Sequence, residues 1–277
     1  MPDASLAPRR KLSLAHLSLI ASPPAELIRI AGKVGFDLVD LRLSPATPSD
    51  MVYTSYERFT LCRQLIPLLG DMDMRVWDVE IVRLNDKTDP HDYLPLMEAA
   101  GLLGASRMKL VCDSDDHARA AHLLARLCEL ALPFGLTLDL EYMVFSGVRS
   151  LAASQKLMAA AAQPNLRILV DALHWMRAGD TPRSLHGAES LGYVQLCDGP
   201  LLAPIGRDAL IQEARTSRLA PGEGEFPLGD LLAAMPPRCV ASLEVPLPPG
   251  RDPLAHAQRL HEAAGLLTEH HDREAVP

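Results

Sequence analysis

The sequence predicts an α/β protein, a (β/α)8 TIM barrel, and three observations carry that expectation. About eight apolar, strand-like runs alternate with amphipathic runs from one end of the 277-residue chain to the other. Such alternation means a parallel sheet, and eight repeats in this length favour a closed barrel over an open doubly wound sheet. Neither Gly-x-Gly-x-x-Gly nor Gly-x4-Gly-Lys-Ser/Thr opens any helix, so nothing supports a nucleotide-binding sheet. No break in composition divides the chain. Residues 1–277 therefore read as a single domain, with roughly ten flexible residues at each end.

The strand-like runs are LSLAHLSLI (12–20), FDLVDLRL (36–43), MRVWDVEIVRL (74–84), SRMKLVCD (106–113), LTLDLEYM (136–143), LRILVDAL (166–173), LGYVQLCD (191–198) and CVASLEVP (239–246). Among the intervening stretches, 24–35, 115–135, 148–163 and 252–267 repeat their apolar residues at helical spacing. The glycines of KVGFD, LPFGLT and SLGYV fall where helix C-caps belong. The longest unassigned segment, 199–225, follows the seventh strand, and a long loop inside a compact barrel is usually functional. The C-terminal TEHHDREAVP reads as a frayed tail, with His270 and His271 in solvent.

Composition narrows the function. Hydrophobic residues make up 48% and charged residues 22%, as in soluble globular proteins. A net charge of −8 argues against a nucleic-acid or anionic-membrane surface. There is neither a membrane-spanning apolar run nor a signal peptide, so the expected compartment is the cytoplasm. The five cysteines, 62, 112, 128, 197 and 239, are odd in number and include no Cys-x-x-Cys. They read as reduced, packed thiols.

In such a barrel the chemistry sits at the C-terminal strand ends. His16, Arg42, Glu80, Lys109, Glu141, Asp171 with His174, Gln195 with Asp198, and Glu244 all fall near them. Glu141, Asp171 and Glu244 would repel one another in one barrel mouth, so basic side chains or a divalent cation must neutralise them. Together with the Gln195 carbonyl they make an all-oxygen donor set, which suits Mg²⁺ or Mn²⁺ better than zinc. Glu80 and His16 are candidates to meet a substrate. Trp77 and Trp175 read as packing.

The elements DLEYM (139–143), VDALHWMRAGD (170–180), VQLCD (194–198), RLAPGEGEFPL (218–228) and ASLEV (241–245) occur in an order that resembles the xylose-isomerase-like TIM-barrel superfamily. This superfamily holds sugar phosphate isomerases and epimerases, related dehydratases and the second family of AP endonucleases. The resemblance implies a divalent metal, Mn²⁺ or Mg²⁺, on Glu141, Asp171, Glu244 and a fourth residue. That residue is usually a histidine; here Gln195 takes its place. The resemblance further implies that Glu141 and Glu244 flank the substrate carbon as catalytic acid and base, and that His174 and Arg218 contact substrate oxygens. Asp198 would support a neighbouring ligand or Arg218.

The implied activity is metal-dependent isomerisation or epimerisation of a small ketose or polyhydroxy-ketone by α-proton abstraction. The alternative is a dehydratase of the 3-dehydroshikimate or inosose type. An endonuclease would need more metal-binding histidines and a basic face. The expected partners are a small polyhydroxylated carbonyl compound and further copies of the chain in a homo-oligomer.

Overall fold

The computed structural model describes residues 9–47, 52–186 and 190–274, with side chains as far as residue 268. Eight parallel strands close into a barrel in sequence order, and β1 pairs with β8. They are β1 Leu12–Leu14, β2 Leu38–Arg42, β3 Arg75–Leu84, β4 Arg107–Cys112, β5 Thr137–Glu141, β6 Leu166–Asp171, β7 Leu191–Leu196 and β8 Ala241–Leu243. The helices are α1 Pro24–Val34, α2 Ser55–Asp71, α3 Leu94–Leu102, α4 His117–Ala131, α5 Leu151–Ala161, α6 Ala172–Ala178, α7 Pro182–Leu185, α8 Arg207–Thr216, α9 Leu228–Ala234 and α10 Pro253–Glu274. Among the described residues no helix is long and apolar enough to cross a membrane.

The core lies between staves and helices, where strand residues such as Leu14, Leu41 and Leu138 meet Leu27 and Ile28 of α1 and Leu124 and Leu127 of α4. Five free cysteines pack into or beside it. Burial pushes the Cys128 thiol up to about 12, so these are unreactive side chains.

Several boundaries differ from the sequence reading. The apolar run 12–20 is a strand only to Leu14, because His16–Leu19 curls into a 3-10 turn. Ser18 ties this turn to the end of β8: its hydroxyl donates to the Leu243 carbonyl and accepts from the Val245 N–H. The segment 199–225 is not all loop, since it contains α8. The tail does not leave the helix at residue 267, because α10 continues to Glu274; the side chains of His270 and His271 lie outside the described residues.

Gly35 and Gly135 are left-handed caps as expected, at φ 103° and 69°. Gly192 is instead inside β7, where a Cβ would collide with the Asp139 carboxylate. Helix α2 begins with a capping box in which Thr54 and Glu57 bond each other's backbone.

Candidate active site

The C-terminal strand ends converge on a buried cluster of charge. Glu80 comes from β3, Lys109 from β4, Glu141 and Asp171 from the last residues of β5 and β6, Gln195 from β7, and Glu244 directly follows β8. Arg42 enters from the end of β2, and Arg218 from the segment after α8. The Asp171 carboxylate also caps α6, accepting the His174 N–H at 3.1 Å, and His174 is thereby held one turn on, beside the same cluster.

Basic side chains neutralise part of this acidic cluster. The Lys109 ammonium lies 2.8 Å from Glu244, 3.6 Å from Glu141 and 3.7 Å from Glu80. Arg218 bridges Asp171 at 2.6 Å and Glu244 at 3.0 Å. Arg42 holds Glu80 at 2.7 Å. Four carboxylates therefore face three permanent cations.

The imbalance shows in the titration of the two glutamates. Burial, with Glu244 and Asp171 nearby, raises the Glu141 carboxyl to about 7 against the pull of Lys109. Burial works in the same direction on Glu244, but Lys109 and Arg218 overcome it and hold that carboxyl down at about 2. Burial also lowers His174 to about 4, leaving a neutral imidazole.

Gln195 joins the two halves of this network. Its carbonyl oxygen accepts from Lys109 at 3.2 Å and its amide donates to Glu244 at 3.1 Å. The Asp198 carboxylate is directed into the Pro-Gly-Glu-Gly-Glu loop, accepting the N–H groups of Gly199, Gly222 and Phe226 at 2.8 to 2.9 Å. Its own backbone bridges Leu219, which places Arg218. His16 has both ring nitrogens engaged, with the Arg42 N–H and the Ser22 carbonyl, and so braces Arg42. Trp175 is buried in the core, and Trp77 packs edge-on against Tyr193.

A second polar layer lies beneath the site. Asp40 accepts from Ser13 and Ser242. Asp78 accepts from the Lys109 N–H and from the Tyr193 hydroxyl. Asp139 pairs with Arg107. Burial raises Asp40 to about 7 and Asp139 to about 6. The trace of this layer in the sequence is an aspartate flanked by apolar residues in the middle of each of three strands.

Above the cluster opens a cavity of about 470 Å³, lined among others by Arg42, Lys109, Glu141, His174, Arg218 and Glu244. That volume suits a small molecule. Glu141, Asp171 and His174 each offer one ligand atom, and these atoms lie within 4.8 Å of one another. His174 Nδ1 has no hydrogen-bond partner although it is buried. Two carboxylates and a neutral imidazole fit a divalent cation. This grouping takes in His174, which the sequence places at the substrate, whereas Gln195 and Glu244 are engaged by Lys109.

A closed parallel barrel with acids, cations and a small cavity at the C-terminal strand ends is the frame of a TIM-barrel protein with a polar small-molecule site. A family model described as xylose isomerase-like TIM barrel matches residues 95–265, and the chain belongs to that family. A search of curated proteins finds no match.

Solved structures share the fold at low identity. The IOLI protein with a bound zinc atom is 15% identical, with a TM-score of 0.78 over 94% of this chain and 99% of that one. L-ribulose 3-epimerase is 16% identical, with a TM-score of 0.72 over 96% and 97%. The probable 3-DHS dehydratase AsbF from Bacillus anthracis is 14% identical, with a TM-score of 0.71 over 92% and 98%.

Proposed function

We propose that the protein is a divalent-metal-dependent isomerase or epimerase that moves a proton next to the carbonyl of a small ketose or polyhydroxy-ketone. The observation that carries this reading is the placement of Glu141 and Glu244 on one cavity, with the Lys109 ammonium 3.6 Å from the first and 2.8 Å from the second. Two carboxyl groups facing one small cavity can serve as acid and base to the same substrate. Glu244, held ionised, accepts a proton from the substrate carbon. Glu141 returns one to the neighbouring position or to the opposite face. Lys109 and Arg218 face the cavity as fixed donors, placed to meet the negative charge that develops on the substrate oxygens.

Glu141, Asp171 and His174 would hold the ion, and the mixed donor set suits Mn²⁺ better than Mg²⁺. When bound, the ion polarises the carbonyl and acidifies the adjacent C–H. The epimerase neighbour accords with this chemistry.

The second reading is a dehydratase, which starts with the same abstraction and then expels a β-hydroxyl. A departing hydroxide needs a proton donor, and Glu141 and His174 line the cavity where one would be met. Incubation of ketoses and cyclic hydroxy-ketones in D₂O with Mn²⁺, followed by NMR, tests both. Deuterium at the carbon beside the carbonyl, with the carbon skeleton and hydroxyl count retained, supports the isomerase or epimerase. Loss of water supports the dehydratase. No exchange with any member of the panel would sink both.

A further inference from the structure

We infer that the outer wall of the pocket is an anion subsite built on α8 by Arg215 and Arg207, so that the substrate carries a carboxylate or phosphate group. This deepens the functional reading, since it rests on the cavity being where the substrate binds.

The argument starts from charge. The chain is acidic overall, at −8, yet six cationic side chains line this cavity: Arg42, Arg83, Lys109, Arg207, Arg215 and Arg218. Four of them have carboxylate partners. Arg42 pairs with Glu80, Arg83 with Asp113, Lys109 with Glu244, and Arg218 with Asp171. The other two have none among the described residues. Arg207 donates only to the Phe145 carbonyl, at 3.1 Å, and Arg215 makes no hydrogen bond or ion pair among the described residues.

Their position on α8 is the second observation. Arg207, Ile211, Ala214, Arg215 and Arg218 all line the cavity. That spacing is one face of a helix continued past its end, and it runs from the mouth inward to the residue that bridges Asp171 and Glu244. Arg215 in the last turn complements the helix dipole, which would be reason enough for an arginine there. Arg207 in the first turn opposes it, so helix stability does not account for this residue. An anion between the two guanidinium groups resolves the conflict, because it is attracted by both. Planar guanidinium groups match carboxylate and phosphate oxygens in pairs, and they do so less well with neutral hydroxyls. Arg215 lies three residues before Arg218, roughly 5 Å along a helical rise. The anionic group would therefore sit about one turn outward from the reacting carbons, within the span of a small sugar acid or sugar phosphate.

The test is calorimetric titration of the full chain, with Mn²⁺ present, using D-ribulose, D-ribulose 5-phosphate and 5-keto-D-gluconate. At least one anionic probe is expected to bind about tenfold or more tightly than the neutral ketose, with the advantage shrinking as salt is raised. The stronger of the two identifies phosphate or carboxylate as the group. In the double variant Arg207→Gln, Arg215→Gln the ratio of charged to neutral affinity should collapse towards one. Equal binding of charged and neutral probes, an advantage that survives in the double variant, or no binding of either anionic probe at millimolar concentration would each overturn the subsite. The readout needs no turnover. Charge discrimination without proton exchange keeps the subsite and overturns the reaction, while exchange on a neutral ketose without discrimination does the opposite.

Discussion

Replacing Lys109 by Met removes the one ammonium that touches three of the four buried carboxylates while nearly preserving the length of the side chain. The wild-type cluster sets Glu80, Glu141, Asp171 and Glu244 against Arg42, Lys109 and Arg218. Its surplus charge is absorbed by Glu141, whose carboxyl titrates near 7. Without Lys109 a second charge is left over, and breaking a buried pair from one side costs about 3–5 kcal/mol. Because one of the remaining carboxylates can take up a proton, the lower end, about 3 kcal/mol, is expected. For a chain of this size that is a fall in Tm of roughly 6–12 °C. The loss also frees the Gln195 carbonyl and Glu244 to meet an ion beside Glu141, Asp171 and His174. Saturating Mn²⁺, at about 100 times its Kd, should then return about 2.7 kcal/mol, most of the loss. Differential scanning calorimetry of wild type and variant, each with and without Mn²⁺, reads all four corners. A variant as stable as wild type, or one that gains no more from Mn²⁺ than wild type does, would refute the reasoning that Lys109 is the countercharge of this site.

Glu141→Gln should abolish deuterium exchange and also flatten the dependence of stability on pH. A carboxyl raised from 4.5 to about 7 binds its proton in the folded state, so it costs stability progressively as pH rises through that window, by about 3 kcal/mol in all; denaturant melts between pH 4.5 and 7 would show the slope reduced in the variant, with the share of Asp40 and Asp139 remaining. Gly224→Ala should destabilise the Pro-Gly-Glu-Gly-Glu loop by about 1–3 kcal/mol, because the added Cβ meets the Asp198 carboxylate and the Gly199 backbone; a variant with unchanged melting and unchanged substrate KM would contradict this. Gln195→His restores the residue usual in the superfamily but places a titratable ring against Lys109. Protonation there is disfavoured in the fold, so stability should fall as pH drops below about 6.5, and urea titrations at pH 5 and pH 8 that show the same difference from wild type would exclude it.

The barrel was legible because strand periodicity and alternation survive in every repeat. What blurred was length. The run 12–20 is apolar throughout, yet Ser18 finds partners at the end of β8 and the chain turns there, a tertiary contact with no local signature. Helix α8 was hidden in the segment 199–225 because it is largely polar and buries only Glu213 and Ala214, so its periodicity is weak. At the site, the strand-end position alone brought Glu80, Lys109, Glu141, Asp171, Gln195 and Glu244 together on the page. Which of them pair with which was not legible, since pairing depends on side-chain reach across the barrel. The second layer of Asp40, Asp78 and Asp139 was missed for the opposite reason: isolated aspartates in apolar strands look like interruptions until the serine, tyrosine and arginine that satisfy them are seen.

Gln195 and Lys109 make sense only as a pair. A buried ammonium needs acceptors, and a buried Glu244 needs donors; a glutamine supplies one of each and keeps no charge of its own at any pH. Its carbonyl faces Lys109 and its amide faces Glu244, so the same side chain holds both partners of the ion pair apart from solvent and in register. A neutral histidine also offers one donor and one acceptor, but it titrates within reach of neutral pH, and a second cation beside Lys109 would disturb the balance that leaves Glu141 as the group with the mobile proton. The amide in an otherwise apolar strand and the lysine on the strand three repeats earlier are thus one device. It fixes the charge on Glu244 and leaves Glu141 to respond to protons, to an ion or to substrate.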